Sequence, residues 1–195
     1  MEPTHRVRRL GLVKGALAIA EGNEITGDVG GAIDAPTASP AGFSAFYAEH
    51  HDSVARALAL TLGDAELGAE AADEAMTRAY QRWATVQSYR NPPGWVYRVG
   101  LNWARSFLRK RRRATSSPHL DDSPIDDPAP RDPYLAAALA ALDAKHRSVV
   151  VLRYYLDWSV EQTADALQIA PGTVKSRLHR ALSQLEIALA EEETP

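Results

Sequence analysis

The stretch from Ser159 to Arg180 leaves its fold little freedom. Ser159 followed three residues later by Gln162 is a capping-box pair, which satisfies two backbone donors at a helix start. Val160, Ala164 and Leu167 then recur at three- and four-residue spacing, marking one buried helical face. Ala164 is small where a second helix would cross, and Ile169 is an apolar plug for the turn. Pro171-Gly172-Thr173 opens that second helix, with proline at a starting position where its missing N–H costs nothing. Val174, Leu178, Ala181, Leu182 and Leu185 form its inner stripe. Gln168 stands where such turns often use glycine, and a left-handed non-glycine residue costs roughly 1 kcal/mol. The result is a helix, a tight turn and a helix.

Left outside are Thr173, Lys175, Ser176, Arg177, His179 and Arg180. Arginine and lysine reach guanine O6 and N7 in a major groove, while serine and threonine read base or phosphate. Free N–H groups at the helix start can meet a phosphate. The spacing therefore predicts a DNA-reading helix-turn-helix rather than a solvated hairpin.

The net charge of −3 over 195 residues looks wrong for a nucleic-acid binder until it is mapped. From Arg98 to Arg113 the charged residues are Arg98, Arg105, Arg109, Lys110, Arg111, Arg112 and Arg113, with no acid between them. Acids gather at Asp121, Asp122, Asp126 and Asp127 and at Glu191 to Glu193. Fields are screened beyond roughly 8 Å at physiological salt, so local charge governs phosphate contact. Alanine-rich periodic segments with few hairpin signals predict an all-α fold.

Residues 1–40, rich in glycine, alanine and small polar residues, are expected to be a disordered extension. Helical periodicity starts at Phe43, with Phe46 or Tyr47, His50, Val54, Ala57 or Leu58, and Leu62 recurring at three- and four-residue spacing, and Gly63-Asp64 ends one helix and caps the next. The second helix carries Leu67, Ala72, Ala75 or Met76, Ala79 or Tyr80, and Trp83 on one stripe. Asn91 and Pro92 begin a third, to about Arg112, with Val96, Val99, Trp103 and Phe107 expected inward. Five prolines among aspartates make residues 114–133 a flexible linker with ends roughly 25 Å apart. Residues 134–190 form a second helical domain, so residues 41–113 and 134–190 are two small modules on one tether.

The third helix interleaves basic and aromatic residues, Arg90, Trp95, Tyr97, Arg98, Trp103 and Arg105, behind Tyr89. Aromatic faces stack on unpaired bases while cations hold the backbone, the combination single-stranded DNA needs. Trp103 is assigned to packing, while Trp95 and Tyr97 are left open between packing and reading. Asn91 and Asn102 can hydrogen-bond a displaced base edge.

With both modules in view, the chain resembles the sigma-70 family of bacterial transcription factors, extracytoplasmic-function (ECF) subgroup. The resemblance runs from Phe43 to His50, through Pro93 to Arg105, to the Arg109–Arg113 cluster, and again from Arg147 to Tyr155 through the helix-turn-helix. It implies a region 2 bundle and a region 4 helix-turn-helix, promoter recognition and DNA melting, and no enzymatic activity. The implied partners are promoter DNA, core RNA polymerase through its β′ clamp helices and β flap, and, as a candidate, an anti-sigma factor. Carried across, Tyr89, Arg90, Asn91, Trp95, Arg98, Asn102 and Arg105 would face the −10 element. Thr173, Lys175, Ser176, Arg177, His179 and Arg180 would face the −35 element, and Arg109, Lys110, Arg111 and Arg112 would hold phosphates. Glu70, Asp73 and Glu74 would dock on polymerase, although Ala69, Ala71, Asp73 and Met76 depart from the family's usual pattern there. Asp143 stands where the family often has proline.

The alternative is a two-module regulator that binds duplex DNA without serving polymerase. An enzyme is the third reading, and the sequence offers it little. Glu49-His50-His51-Asp52 is the one ligand-like cluster, but adjacent histidines diverge by about 100° on a helix and cannot easily share a metal, and no phosphate-binding glycine loop, nucleophile elbow or zinc spacing is found. No cysteine is available for a disulfide or thiolate site. Neither cofactor nor metal is expected. No apolar run reaches the ~18 to 20 residues of a membrane span, and Glu21 and Asn23 follow Leu10–Ala20 too closely for a leader, so a cytoplasmic protein without membrane insertion is expected.

Overall fold

The computed structural model describes residues 42–114 and 133–191, and among them the regular structure is entirely helical. The N-terminal extension and nearly all of the linker expected from the sequence lie outside the described residues. Helix α1 (Phe43–Leu62) ends at Gly63, whose left-handed φ of 73° lets its N–H reach the Ala59 carbonyl at 2.8 Å. Asp64 then caps α2 (Ala65–Gln81), accepting the Leu67 N–H at 2.8 Å. These helices cross at Gly68, where an added Cβ would sit 2.5 Å from the Ala59 backbone. Only a residue without a side chain permits that approach.

The second helix stops at Gln81, short of Trp83. The Arg82 N–H turns back to the Ala79 carbonyl, and Trp83 opens a one-turn helix, α3 (Trp83–Val86). Its indole stays buried, packed on Phe43 and Phe46 at centroid distances of 5.4 and 4.7 Å.

Helix α4 (Pro92–Ala114) corrects the expected inner stripe. Its core residues are Val96, Tyr97, Leu101 and Ala104, with Gly100 set against the Ala71 carbonyl and Leu58. Val99 and Trp103 are only partly buried and Phe107 is exposed. The stripe is thus rotated by roughly a quarter turn from the expected one at 3.6 residues per turn. Tyr97, left open by the sequence, is a core residue whose hydroxyl lies 2.7 Å from Thr61 Oγ1. Trp103 stacks on Phe107 at 5.4 Å along a second, shallower apolar flank.

In the second module α5 (Pro133–Ala141) leads to Asp143, which caps α6 (Ala144–Val150) by accepting the His146 N–H at 2.9 Å. The chain continues through a wider π-helical segment, Val151–Tyr155, where the Leu156 N–H reaches Val151. Arg153 donates to the Trp158 carbonyl and holds the exit. The helix-turn-helix follows as α7 (Val160–Leu167) and α8 (Pro171–Glu191).

The two modules pack against each other. Helix α1 meets α6 and the π-helical segment, and α4 meets α7. One apolar core runs from Leu58 and Val96 to Val151 and Leu152. Arg147 ties the joint by donating to carbonyls of both modules, Leu142 at 2.9 Å and Thr61 at 3.4 Å. Among the described residues, no helix is long and apolar enough to cross a membrane.

Candidate nucleic-acid interface

The helix-turn-helix has the local chemistry its sequence implies. Ser159 Oγ accepts the Gln162 N–H at 3.1 Å while Gln162 Oε1 accepts the Ser159 N–H at 2.8 Å, completing the capping box. Gln168 takes the left-handed turn conformation at φ 53°, and its side chain donates to the Asp165 carbonyl at 2.8 Å. A small separate core of Val149, Ala164 and Val174, flanked by Ile169 and Leu178, locks α7 to α8. Lys175, Ser176, His179 and Arg180 are exposed; Thr173 and Arg177 are partly buried. Ser176 Oγ donates to the Thr173 carbonyl at 3.1 Å, which orients the first turn of α8. The six residues expected to read DNA share one end of that helix.

The first module presents a second surface. At 100° per residue, Trp95, Arg98, Asn102, Arg105 and Arg109 fall within an arc of roughly 80°, opposite the observed core stripe. Asn102, Arg105 and Arg109 are exposed, and Trp95 and Arg98 are partly buried. Tyr89 lies beside Trp95, ring centroids 6.4 Å apart. Asn91 Oδ1 is committed to the start of α4, accepting the Gly94 N–H at 2.9 Å, while its Nδ2 donates to the Gln162 carbonyl of α7 at 3.4 Å. Arg109 to Arg113 continue outward along the last turns, where cations also suit the negative end of the helix dipole. Arg109 donates to Ser106 Oγ at 3.0 Å. One cationic, partly aromatic face therefore runs from the loop at Tyr89 along α4.

On α2, Glu70 and Asp73 are exposed and Glu74 is half-buried, bound to Arg78 at 2.7 Å. Asp73 accepts from His51 Nε2 at 2.8 Å, while His51 Nδ1 lies 2.9 Å from Asp52 and its ring stacks on Tyr47 at 4.6 Å. Burial alone would lower the His51 pKa, but the hydrogen bonds to Asp52 and Asp73 outweigh it and the net shift is upward. Beside them Phe43, Tyr47, Met76 and Tyr80 line an apolar groove of about 320 Å³. In the sequence His51 draws notice only as a metal ligand; among the described residues no cluster of metal-binding side chains is found. Its partnership with Asp73 joins residues on different helices and leaves no local spacing signal.

Residues 133–185 match the family described as Sigma-70, region 4. The chain is 35% identical over 167 residues to the ECF RNA polymerase sigma factor SigL of Mycobacterium tuberculosis, covering 80% of this chain and 94% of that protein. It is 39% identical over 115 residues to the RNA polymerase sigma-E factor of Streptomyces coelicolor, spanning 57% of this chain but only 65% of that relative's length. Among solved structures, the fold is similar to the sigma factor RpoE of Bartonella quintana in complex with the anti-sigma factor NepR, with a TM-score of 0.62 and 23% identity over 76% of this chain and 96% of that one. It is also similar to CnrH in complex with the cytosolic domain of CnrY, with a TM-score of 0.55 and 20% identity over 95% and 98% of the two chains.

Proposed function

The chain belongs to the ECF subgroup of the sigma-70 family, and from that membership we propose that it is a promoter-specificity subunit of RNA polymerase, non-catalytic in itself and acting in the cytoplasm. The observation that carries this reading is the pairing of two unlike surfaces on one chain. One is a capped helix-turn-helix with an exposed basic start to α8. The other is a helix that aligns partly buried Trp95 and Arg98 with exposed Asn102 and Arg105 on one arc. The first suits paired DNA, whose major groove admits a helix. The second suits separated strands, because an aromatic face binds a base only once it is unstacked.

In this proposal Thr173, Lys175, Ser176, Arg177, His179 and Arg180 contact the −35 element. Tyr89, Arg90, Asn91, Trp95, Arg98, Asn102 and Arg105 hold the −10 element, and Arg109 to Arg112 hold phosphates of the adjoining backbone. Capturing unpaired bases on the first module offsets the cost of melting and drives the duplex open. The exposed acids Glu70 and Asp73 beside the Tyr47–Tyr80 groove offer a docking face to core polymerase. The test is transcription by purified core enzyme with this protein on promoters mapped after its overexpression. Initiation that depends on the added protein is the expected result. Duplex binding with no initiation at any mapped promoter would instead identify a regulator that does not serve polymerase.

A further inference from the structure

The groove between α1 and α2 combines an apolar floor with an acidic rim. Phe43, Tyr47, Met76 and Tyr80 line it, and the Tyr47 ring is 39% exposed. On α2 the exposed residues Glu66, Glu70, Asp73 and Thr77 fall with Tyr80 within an arc of roughly 80°. Asp52 joins that rim through His51, which also holds Asp73. Arg56 and Arg78 are the lysine or arginine residues of these two helices. Arg78 is bound to Glu74, and Arg56 lies about 180° around α1 from Tyr47. The excess of negative charge is felt at the Tyr47 hydroxyl, whose pKa is raised first by burial and then by Asp73 and Asp52.

The described chain begins at this groove. Phe43, the first residue of α1, lines it, and Gly42 before it is left-handed at φ 82°. The preceding sequence holds one stretch of opposite character. Between residues 6 and 20 the charged residues are Arg6, Arg8, Arg9 and Lys14, with no acid among them. Leu10, Val13 and Leu17 recur there at three- and four-residue spacing. We propose that residues 6–20 dock in the α1–α2 groove of their own chain, aliphatic side chains on Tyr47 and Tyr80 and cations beside Glu70 and Asp73. Residues 21–42 are the tether. As a random chain those 22 residues would have ends roughly 26 Å apart, about the length of α2 at 1.5 Å per residue. A tether of that span holds the segment at about millimolar effective concentration, so a contact with a Kd of about 0.1 mM would be about nine-tenths formed. A partner of the acidic face then has to displace the segment, core polymerase included under the function proposed above. The docking itself needs nothing from that function.

The test uses the full chain, which has no cysteine and two methionines, Met1 and Met76. A nitroxide placed on Ala16→Cys broadens the signals of nearby methyl groups, and methionine-methyl enrichment makes Met76 the reporter in the groove. Loss of the Met76 signal, restored when the nitroxide is reduced, is the expected result. The signal should recover in Arg6→Glu with Arg8→Glu and Arg9→Glu, and in Glu70→Gln with Asp73→Asn. A tenfold weaker contact would be about half formed at the same effective concentration, so partial recovery is the least that either variant should give. An equal loss in the parent and the arginine variant would overturn the proposal, since the tether alone would account for it. A Met76 signal that the nitroxide never reaches would overturn it too. Asp73→Asn also removes a partner of His51, so the arginine variant, which alters no described residue, decides should the two differ. Enriched chain without nitroxide, mixed with nitroxide-bearing chain without enrichment, should keep its Met76 signal. A loss in that mixture would mean that the segment reaches a second copy rather than its own groove.

Discussion

Arg177 is partly buried near the start of α8, close to Lys175 and Arg180 in the helix. Replacing it with alanine should weaken promoter binding by about 1–3 kcal/mol and erase preference at one base position. Competition among duplexes that differ at single positions measures this, and equal weakening on all of them would mark a phosphate contact instead. Trp95 is the aromatic residue of α4 that lies on the proposed reading arc, since Tyr97 is enclosed. Trp95→Ala should therefore reduce strand opening, read by permanganate reactivity of unpaired thymines, more than it reduces duplex binding. At His51 the sign of a pH effect follows from its raised pKa. The stabilisation from its charged form is complete below the unfolded value of about 6.5 and is lost as pH rises through the higher folded value. The stability gap between the parent and His51→Gln should shrink between pH 6 and pH 9 in urea titrations. A constant gap would mean that the ring acts only by packing on Tyr47.

Helix boundaries are the most legible feature of this chain, because caps are local chemistry. Asp64, Asn91 and Ser159 all cap where their spacing implies. Asp143, which in the sequence is only a departure from a family proline, caps α6 in the same way. Asp143→Ala should cost about 1 kcal/mol by chemical denaturation, and Asp143→Asn much less. The inner face of α4 is less legible. Two adjacent apolar stripes compete there, and Trp103 with Phe107 satisfy each other on the flank while Tyr97 takes the core position beside Thr61. Which stripe wins depends on the closeness of α1 and α2, which Gly68 and Gly100 set by bringing backbones together. Gly68→Ala tests this. Overpacking against rigid backbone costs about 1–3 kcal/mol, more than the ~1 kcal/mol that alanine adds to helix propensity. A loss of stability is expected, and a gain would show that the crossing can widen.

Across the whole molecule the charge is unevenly spread, with only cations along α4 and only acids on α7. Exchanging Lys110 and Arg112 for glutamine should weaken binding to every sequence alike and reduce the salt dependence by about 0.7–0.9 for each phosphate no longer neutralised. An unchanged salt slope would remove these residues from the phosphate path. The sequence by itself determined most of the helices, the caps at Asp64, Asn91 and Ser159, and the turn at Gln168, since each rests on contacts within a few residues along the chain. Only the tertiary structure decided that Tyr97 is core, that His51 holds Asp73, and that α7 covers the loop at Asn91. The Asn91 contact joins residues 71 positions apart. A packing arrangement of that range depends on how two complete modules fit in three dimensions, and no periodicity within either one encodes it.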